Sequence, residues 1–331
     1  MMDSQEDLNK ILTSFKVKAR CVSYNKIRNI SLYDLYLSPG TRVKDIIKFS
    51  DEISLAMKSK TRPLIKVKPE LGIVRLEVVD ENPGKIAFFE DFRKIKLNDE
   101  KIPMYLGSSV DGNNLVIDLF KHPHTLIAGT TGSGKSTLLH SIMANALSLQ
   151  NTMICVIDSK NVEFAGYSIF KNVSVATDYN GSMAMLKFLY EQMEFRYNVM
   201  NDRKSIDNDP DFPNIIFIID EFADLIMQDD KNEFYTLLCR LAQKCRAAGI
   251  YCIIATQRPS VDIIKGAIKA NFPARISCQV ASHIDSKVIL DATGAELLAG
   301  SGDAIIKNYN NNFQRFQSTY TTPEEVIAYY A

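Results

Sequence analysis

The chain has 331 residues, of which 46% are apolar, so it exceeds the usual size of one domain and contains ample material for a core. Its 39 basic and 39 acidic side chains balance. This balance excludes a protein that coats nucleic acid through bulk positive charge, so any nucleic-acid contact has to be local.

The first hundred residues predict a small mixed unit. Residues 1–15 predict a short, loosely attached N-terminal helix, and residues 16–100 predict a compact α+β subdomain. Residues 45–57 place apolar side chains at helical spacing, and residues 81–84 form the clearest turn of this region. Two further segments alternate apolar and polar residues, as half-buried strands do: 65–68 and 72–79.

Residues 101–331 predict a different architecture, an α/β domain with a mainly parallel sheet. Short, nearly continuous apolar runs alternate with helical patterns, the longest of which extends from residue 182 to about residue 201. Such runs are typical of strands that are buried on both faces of a parallel sheet. The runs lie at 126–128, 153–157, 215–219, 251–255 and 276–280.

The cysteines and the N-terminus indicate the compartment. Neither a zinc ribbon nor a CxxC redox pair matches the cysteine spacing, so we interpret the cysteines as buried thiols in a reducing compartment. They are Cys21, Cys155, Cys239, Cys245, Cys252 and Cys278. The acidic N-terminus does not resemble a signal peptide, and nowhere do about eighteen apolar residues run together. We therefore expect a cytoplasmic protein without direct membrane insertion.

The strongest chemical motif is a P-loop that follows one predicted strand and precedes a helix. It matches GxxxxGK[ST] and consists of Gly129, Thr130, Thr131, Gly132, Ser133, Gly134, Lys135 and Ser136, with Thr137 supporting the helix start. Glycines let backbone N–H groups face the phosphates of ATP. Lys135 is then predicted to bridge the β- and γ-phosphates, and the hydroxyl of Ser136 to ligate Mg²⁺.

A second pair of residues supplies the acids that such a loop needs. Asp220 and Glu221 follow the apolar run 215–219, where Asp220 is predicted to hold Mg²⁺ through water and Glu221 to polarise the attacking water. An alternative is that Asp220 caps the next helix and Glu221 complements its dipole.

A polar residue on a neighbouring strand tip completes the predicted site. Gln257 follows the apolar run 251–255, at the strand edge where open α/β sheets bind ligands. We expect Gln257 to sense whether the γ-phosphate is present. A strand-terminating hydrogen bond uses the same residue types and remains the alternative.

These motifs, taken with their surroundings, resemble the motor domain of the FtsK/SpoIIIE family of double-stranded DNA translocases, within the HerA/FtsK superfamily. The resemblance covers roughly residues 20–310 and implies a RecA-like P-loop ATPase core (101–331) after a small FtsK-alpha-like subdomain (16–100). The similar segments are 39–40, 51–57, 123–136, 219–225, 240–250, 255–262, 268–271, 284–287 and 294–303.

The resemblance implies a hexameric ring around duplex DNA, with ATP bound between neighbouring subunits. Arg246 is then the candidate arginine finger, supplied in trans to the γ-phosphate as charge develops there. A surface arginine without this role is the alternative. The family's pore contacts fall on four basic residues here, which need to touch only phosphates: Arg258, Lys265, Lys269 and Lys287. Ordinary solvated lysines explain the last three equally well.

The chain also departs from the family pattern. The membrane spans and the C-terminal winged-helix domain of the cell-division members are not recognised in it. Ser159 stands where the family has proline after the second core strand, and His283 occupies a pore-loop position that is often basic. Membrane anchoring and directional loading on DNA are therefore not expected of this chain.

Together these observations predict an ATP-driven duplex-DNA translocase that serves transfer, replication or packaging of a mobile element, plasmid or phage, with a relaxase, replication or packaging protein as a possible partner. Two alternatives stay open. One is an FtsK-type ATPase that energises protein export, and the other is a nucleotide-dependent scaffold that does not hydrolyse ATP. The presence of both Glu221 and Gln257 argues against the scaffold.

Overall fold

The computed structural model describes residues 5–27, 30–80, 84–95, 100–203, 206, 209, 211–308 and 310–331. Of the turn predicted at 81–84, residues 81–83 lie outside this part of the chain. Among the helices described, none combines the length and the apolar character that crossing a lipid bilayer requires.

The N-terminal region is built on a four-stranded antiparallel sheet. Its strands are β1 (Ala19–Ile27), β2 (Ile30–Leu37), β3 (Leu64–Lys68) and β4 (Ile73–Val79), in the order β1-β2-β4-β3. Its helices are α1 (Gln5–Ser14), α2 (Val43–Ile47) and α3 (Ser50–Ala56). The strands predicted at 65–68 and 72–79 are confirmed as β3 and β4.

The helix predicted over 45–57 forms as two helices. Phe49 has φ −102° and ψ 19°, which interrupts the helical backbone. The hydroxyl of Ser50 donates to the carbonyl of Ile47 at 2.8 Å, so a side chain supplies a bond to one of the carbonyls that a helix end leaves open. Both helices still contribute to one core, since Ile46 and Ile53 are fully buried in the same cluster.

The prediction that the first helix is loosely attached is wrong. Leu8 and Leu12 of α1 are fully buried, and burying each contributes roughly 1.5–3 kcal/mol. Polar side chains also fasten α1 to β1, because Asn9 Oδ1 accepts from the backbone N–H of Cys21 at 2.8 Å and Gln5 Nε2 donates to the Cys21 carbonyl at 2.6 Å. The helix is therefore an integral part of the small unit.

The remaining strands form a sheet of eleven strands. They are β5 (Ile86–Ala87), β6 (Pro103–Ser109), β7 (Asn114–Asp118), β8 (His124–Ala128), β9 (Thr152–Ile157), β10 (Val173–Ala176), β11 (Asn214–Ile219), β12 (Ile250–Thr256), β13 (Ala274–Cys278), β14 (Asp303–Lys307) and β15 (Phe313–Tyr320). Their order is β10-β9-β11-β12-β8-β13-β14-β15-β6-β7, and β5 pairs with β15. Strands β10 to β13 in this order are parallel, and β13 to β7 are antiparallel. The predicted mainly parallel α/β sheet is confirmed.

Helices cover both faces of this sheet. They are α4 (Phe88–Phe92), α5 (Lys135–Ser148), α6 (Tyr179–Arg203), α7 (Phe222–Gln228), α8 (Glu233–Lys244), α9 (Gly266–Asn271), α10 (His283–Leu290) and α11 (Pro323–Tyr330). Strand β11 shows how cover on both faces of the sheet determines the sequence of a strand. Its residues Phe217 and Ile219 belong to the core cluster that includes α6 and α8, whereas Ile216 and Ile218 belong to the cluster with α5. All four are fully buried, which is why a continuous apolar run encodes this strand.

The six cysteines are all buried and unpaired, as the sequence predicts. Two of them meet in a way that their spacing does not reveal. The sulfurs of Cys245 and Cys252 lie 3.9 Å apart, and Nε2 of His124 lies 3.9 Å from the sulfur of Cys245. Strand β8 runs beside β12 and so brings His124 to these two thiols.

Candidate active site

The P-loop lies at the carboxyl ends of three adjacent parallel strands. It leaves β8 after Ala128 and enters α5 at Lys135, while Asp220 follows β11 and Gln257 follows β12. Gly132 and Gly134 have φ of +77° and +100°, which favour glycine. A Cβ on Gly134 would collide with the backbone of Gly302, so the loop also needs glycine for close contact.

Lys135 is held by the first acid of the predicted pair. Its Nζ donates to the carboxylate of Asp220 at 2.7 Å and to the carbonyl of Asp220 at 2.8 Å. Both side chains are almost completely buried, and a buried charge needs a partner of opposite sign. The pair therefore places the lysine charge and a magnesium-type ligand side by side.

Glu221 lies beneath the neighbouring strand tip. Its Oε1 accepts from the hydroxyl of Thr256 at 2.7 Å, and both of its carboxylate oxygens lie within 3.1 Å of the backbone nitrogen of Gln257. It also occupies the N-cap position of α7, where it accepts from the backbone N–H of Ala223 at 3.4 Å. The alternative that Asp220 caps this helix is wrong, because the capping residue is Glu221.

Gln257 joins the P-loop to β12. Its Oε1 accepts from the hydroxyl of Thr131 at 3.3 Å, while its backbone N–H donates to Glu221. The side chain lines the same cavity as the P-loop. This geometry is compatible with the predicted role at the γ-phosphate, which stays a prediction.

A cavity of about 350 Å³ adjoins the P-loop, and sequence reasoning missed half of its walls. The walls that were not predicted come from four separate segments: residues 84–86, Glu163, residues 301–302 and residues 317–320. Residues 317–320 belong to β15, which pairs with the adjacent strand β14 and, at long range in the chain, with β5. Local patterns carry no signal for such walls, apart from the glycine at position 302.

Glu163 adds a third carboxylate beside the P-loop. Its Oε2 lies 3.0 Å from Nε2 of His140, whose Nδ1 lies 3.1 Å from the hydroxyl of Tyr167. The hydrogen bond with His140 lowers the pKa of Glu163, against the effect of burial, and Ser136 and Lys135 act in the same direction as His140. Glu163 therefore stays ionised near the predicted metal ligand Ser136.

The donor atoms at this edge suit Mg²⁺. The hydroxyl of Ser136 and the carboxylate of Asp220 are the hard oxygen ligands that this ion prefers, and few protein ligands are needed because Mg²⁺ keeps several waters. Residues Ser136 and Asp220 would hold the ion, with Glu163 close by. When bound, Mg²⁺ would neutralise charge that develops on the phosphates.

Arg246 lies outside the nucleotide site of its own chain. It is exposed in the turn between α8 and β12, 5.6 Å from the ring centre of Phe120. This turn precedes β12, so it lies at the amino edge of the parallel strands, opposite the P-loop. Arg246 therefore does not contribute to the nucleotide site of its own chain, and the predicted role in trans stays a prediction.

The four predicted DNA contacts differ in their surroundings. Arg258 is exposed directly after Gln257, and its Nη1 lies 3.7 Å from the sulfur of Met227. Lys265 and Lys287 are also exposed, and the Nζ of Lys265 lies 4.9 Å from the ring centre of Tyr235.

Lys269 differs because it is engaged in an ion-pair cluster around Asp291. The carboxylate of Asp291 contacts Lys269 and Arg275 at 2.5 Å and Lys307 at 2.8 Å. These four residues are called the Asp291 cluster. Burial opposes ionisation of Asp291, but hydrogen bonds from the three cations outweigh it and hold its pKa well below the ordinary value. Lys269 is thus less available for phosphate than the other three.

Comparison with known proteins shows the family of this chain. A model of the FtsK/SpoIIIE family matches residues 90–211 and 207–261, and a model of the FtsK alpha domain matches residues 1–79. The DNA translocase SftA of Bacillus subtilis is 34% identical over 344 residues, which cover 98% of this chain and 36% of the relative. The DNA translocase FtsK of Lactococcus lactis subsp. cremoris is 35% identical, over 97% of this chain and 46% of the relative. The chain thus spans between a third and a half of the length of these relatives.

Solved structures support the fold. The monomer form of the pCW3 conjugation coupling protein TcpA, solved with ATPγS, has a TM-score of 0.68 at 22% identity and is matched over 99% of both chains. The cytoplasmic domain of the type VII secretion ATPase EccC from Thermomonospora curvata has a TM-score of 0.62 at 19% identity, over 75% of this chain and 34% of that one. The predicted P-loop ATPase fold and the predicted family are confirmed, and this chain belongs to the FtsK/SpoIIIE family.

Proposed function

We propose that this chain is an ATP-driven motor that moves double-stranded DNA without regard to sequence. The observation that carries the proposal is the joint geometry of Lys135, Asp220 and Glu221 at the carboxyl edge of the sheet. Identity of about a third, along nearly the whole chain, to proteins named DNA translocases supports DNA as the cargo.

Four side chains divide the work of ATP binding and cleavage. Lys135 exchanges its contact with Asp220 for the phosphates and compensates their charge there. Asp220, once released from the lysine, would join Ser136 in holding Mg²⁺. Glu221 polarises the attacking water, and its contacts with Thr256 and Gln257 hold its carboxylate in place.

The same contacts connect cleavage to the proposed DNA-binding residues. Glu221 accepts from Thr256, whose hydroxyl also accepts from the backbone N–H of Arg258 at 3.1 Å. Two hydrogen bonds therefore connect Glu221 to the backbone of Arg258, a candidate phosphate-binding residue. Arg258, Lys265 and Lys287 would contact the DNA backbone, which carries charge at every nucleotide and so serves any sequence.

A ring assembly completes the proposal. Arg246 lies on the edge opposite its own P-loop, and a neighbouring subunit would receive it as the cation that stabilises the γ-phosphate during cleavage. We propose a hexamer by analogy with the family. Within such a ring each nucleotide would be cleaved only where two subunits meet.

The test is the ATPase rate with and without linear duplex DNA. We expect DNA to raise the rate several-fold, Lys135→Ala to abolish both rates, and the matched surface variant Lys187→Ala on α6 to leave both unchanged. Indifference of an assembled ring to DNA, combined with stimulation by a secretion signal peptide, would instead support the protein-export alternative.

A further inference from the structure

A short segment just before β14 contacts the P-loop. Residues 300–302, here called the strap, include two glycines with φ of +73° and +91°. The backbone N–H of Gly302 donates to the Ser133 carbonyl at 2.8 Å, and that of Ser301 donates to the Gly132 carbonyl at 3.2 Å. The strap thus fixes two carbonyls of the P-loop, those of Gly132 and Ser133.

Strand β15 holds the strap from its other side. The backbone N–H of Ser318 donates to the Gly302 carbonyl at 2.7 Å, and Nε2 of Gln317 donates to the Ser301 carbonyl at 2.8 Å. The residue that follows the strap is Asp303. Because four hydrogen bonds fix Ser301 and Gly302, two to the P-loop and two to β15, a shift of β15 relative to α5 has to move the P-loop as well.

A buried ionic network connects the strap to the small sheet. Arg315 of β15 makes a two-fold contact with Asp303, at 2.9 Å and 2.7 Å, and its Nη1 donates to Glu77 of β4 at 3.2 Å. Glu77 in turn contacts Nζ of Lys66 on β3 at 2.7 Å. Each of Arg315, Asp303 and Glu77 is only 1% exposed.

Such a network is costly to build, since every charge loses its hydration, and apolar side chains of the same size often stabilise a fold as well or better. The arrangement of this network also couples the small sheet to the strap. Glu77 lies on a central strand of the small sheet, between β2 and β3. The rigid fork of Arg315 therefore transmits the position of that sheet to the residue that carries the strap.

We propose that Arg315 and Glu77 are positioning residues for nucleotide binding, through which the small sheet holds the strap and hence the P-loop in its binding geometry. By linkage, bound nucleotide stabilises the small sheet by the same free energy. The inference rests on the proposed nucleotide site but not on DNA as the cargo. A chain that binds ATPγS and ignores DNA would refute the proposed function and leave this inference intact.

The test uses the isosteric variant Glu77→Gln in the full chain, with Asp34→Asn as the matched control. Asp34 pairs with Arg75 at 2.7 Å within the same small sheet, and so its loss weakens the sheet without touching Arg315. We expect Glu77→Gln to raise the Kd for Mg·ATPγS by about five- to tenfold, which is a typical coupling between two sites. The Kd of the control should stay within about twofold of the wild-type value. Arg315→Lys, which keeps the charge but loses the fork, should weaken binding at least as much.

Hydrogen exchange provides a readout that mere destabilisation does not change. In the wild type and in Asp34→Asn, ATPγS should slow amide exchange across Ile73–Val79, and in Glu77→Gln this protection should vanish. The proposal is overturned if Glu77→Gln melts at a lower temperature but binds ATPγS as the wild type does, or if nucleotide leaves exchange in β4 of the wild type unchanged.

Discussion

Replacing Glu221 by glutamine should separate ATP binding from ATP cleavage. Glu221→Gln keeps the size of the side chain and one acceptor oxygen but removes the negative charge that polarises water. Because a positioned general base contributes about 10²- to 10⁴-fold, the steady-state ATPase rate should fall by roughly that factor. Nucleotide affinity should change little, since Lys135 and the P-loop are untouched.

The structure indicates that the fold tolerates this change. Oε1 of Glu221 accepts from Thr256 at 2.7 Å and from the N–H groups of Gln257 at 3.1 Å and Ala223 at 3.4 Å, whereas Oε2 accepts from the N–H of Gln257 at 3.0 Å. An amide oxygen in the position of Oε1 keeps all three partners bonded. The loss of the shared contact should cost about 1 kcal/mol of the free energy of unfolding, the usual net value of one hydrogen bond.

Three measurements together check this prediction: phosphate release at saturating Mg·ATP, calorimetric titration with ATPγS, and thermal melting. Asp224→Asn is the matched control, because this acid lies on α7 and its carboxylate contacts only the exposed Lys160, at 3.7 Å, among the ion pairs of the described residues. The control should keep the full ATPase rate. If Glu221→Gln bound ATPγS normally and still cleaved ATP at more than about a tenth of the wild-type rate, Glu221 would not be the general base.

Three further predictions follow from other parts of the molecule. Arg246→Ala should bind ATPγS normally but hydrolyse ATP slowly, and mixing it with Lys135→Ala should restore part of the activity, because mixed rings contain intact interfaces; no recovery in verified mixed rings would exclude a finger in trans. Phe217→Ala empties a fully buried position of β11 and should lower the free energy of unfolding by about 3–5 kcal/mol in denaturant titration, whereas a loss below about 1 kcal/mol would contradict the packing. The depressed pKa of Asp291 means that its cluster stabilises the fold above the unfolded pKa of about 3.9 and loses that effect as pH falls below it. Asp291→Asn should therefore be less stable than wild type at pH 7, and a difference that failed to shrink in acid would refute the ion-pair origin.

The core and the P-loop could be predicted because their signals are local. Strand β11 is one uninterrupted apolar run since helices cover both of its faces, and Lys135 stands at a fixed distance from the glycines that precede it. Asp220 and Glu221 were found by their position after such a run. Each of these inferences needs only a short stretch of sequence and the rule that parallel strands end at one edge.

The remaining parts of the site depend on contacts between distant segments. Arg315 and Glu77 lie 238 residues apart and meet only because β15 and β4 come together in the folded chain. Ser301 and Gly302 reach the P-loop because β14 adds to the sheet in antiparallel fashion beside β13. A single sequence carries no periodic signal for either event, and so half of the cavity wall was not predicted.

Smaller differences have equally physical causes. The break between α2 and α3 depends on the single backbone conformation of Phe49, which apolar spacing does not detect. Besides the burial of Leu8 and Leu12, α1 is attached by the bonds of Asn9 and Gln5 to Cys21, and a polar helix face otherwise indicates only contact with solvent.

The central claim is that ATP cleavage at Lys135 and Glu221 moves the protein along duplex DNA. Displacement of a fluorescent triplex-forming strand from a linear duplex tests it most directly, because the third strand is released only when a motor passes beneath it. The account predicts displacement with ATP, none with ATPγS, and none with Lys135→Ala. Rapid ATP hydrolysis on the same duplex with the third strand still in place would contradict the account.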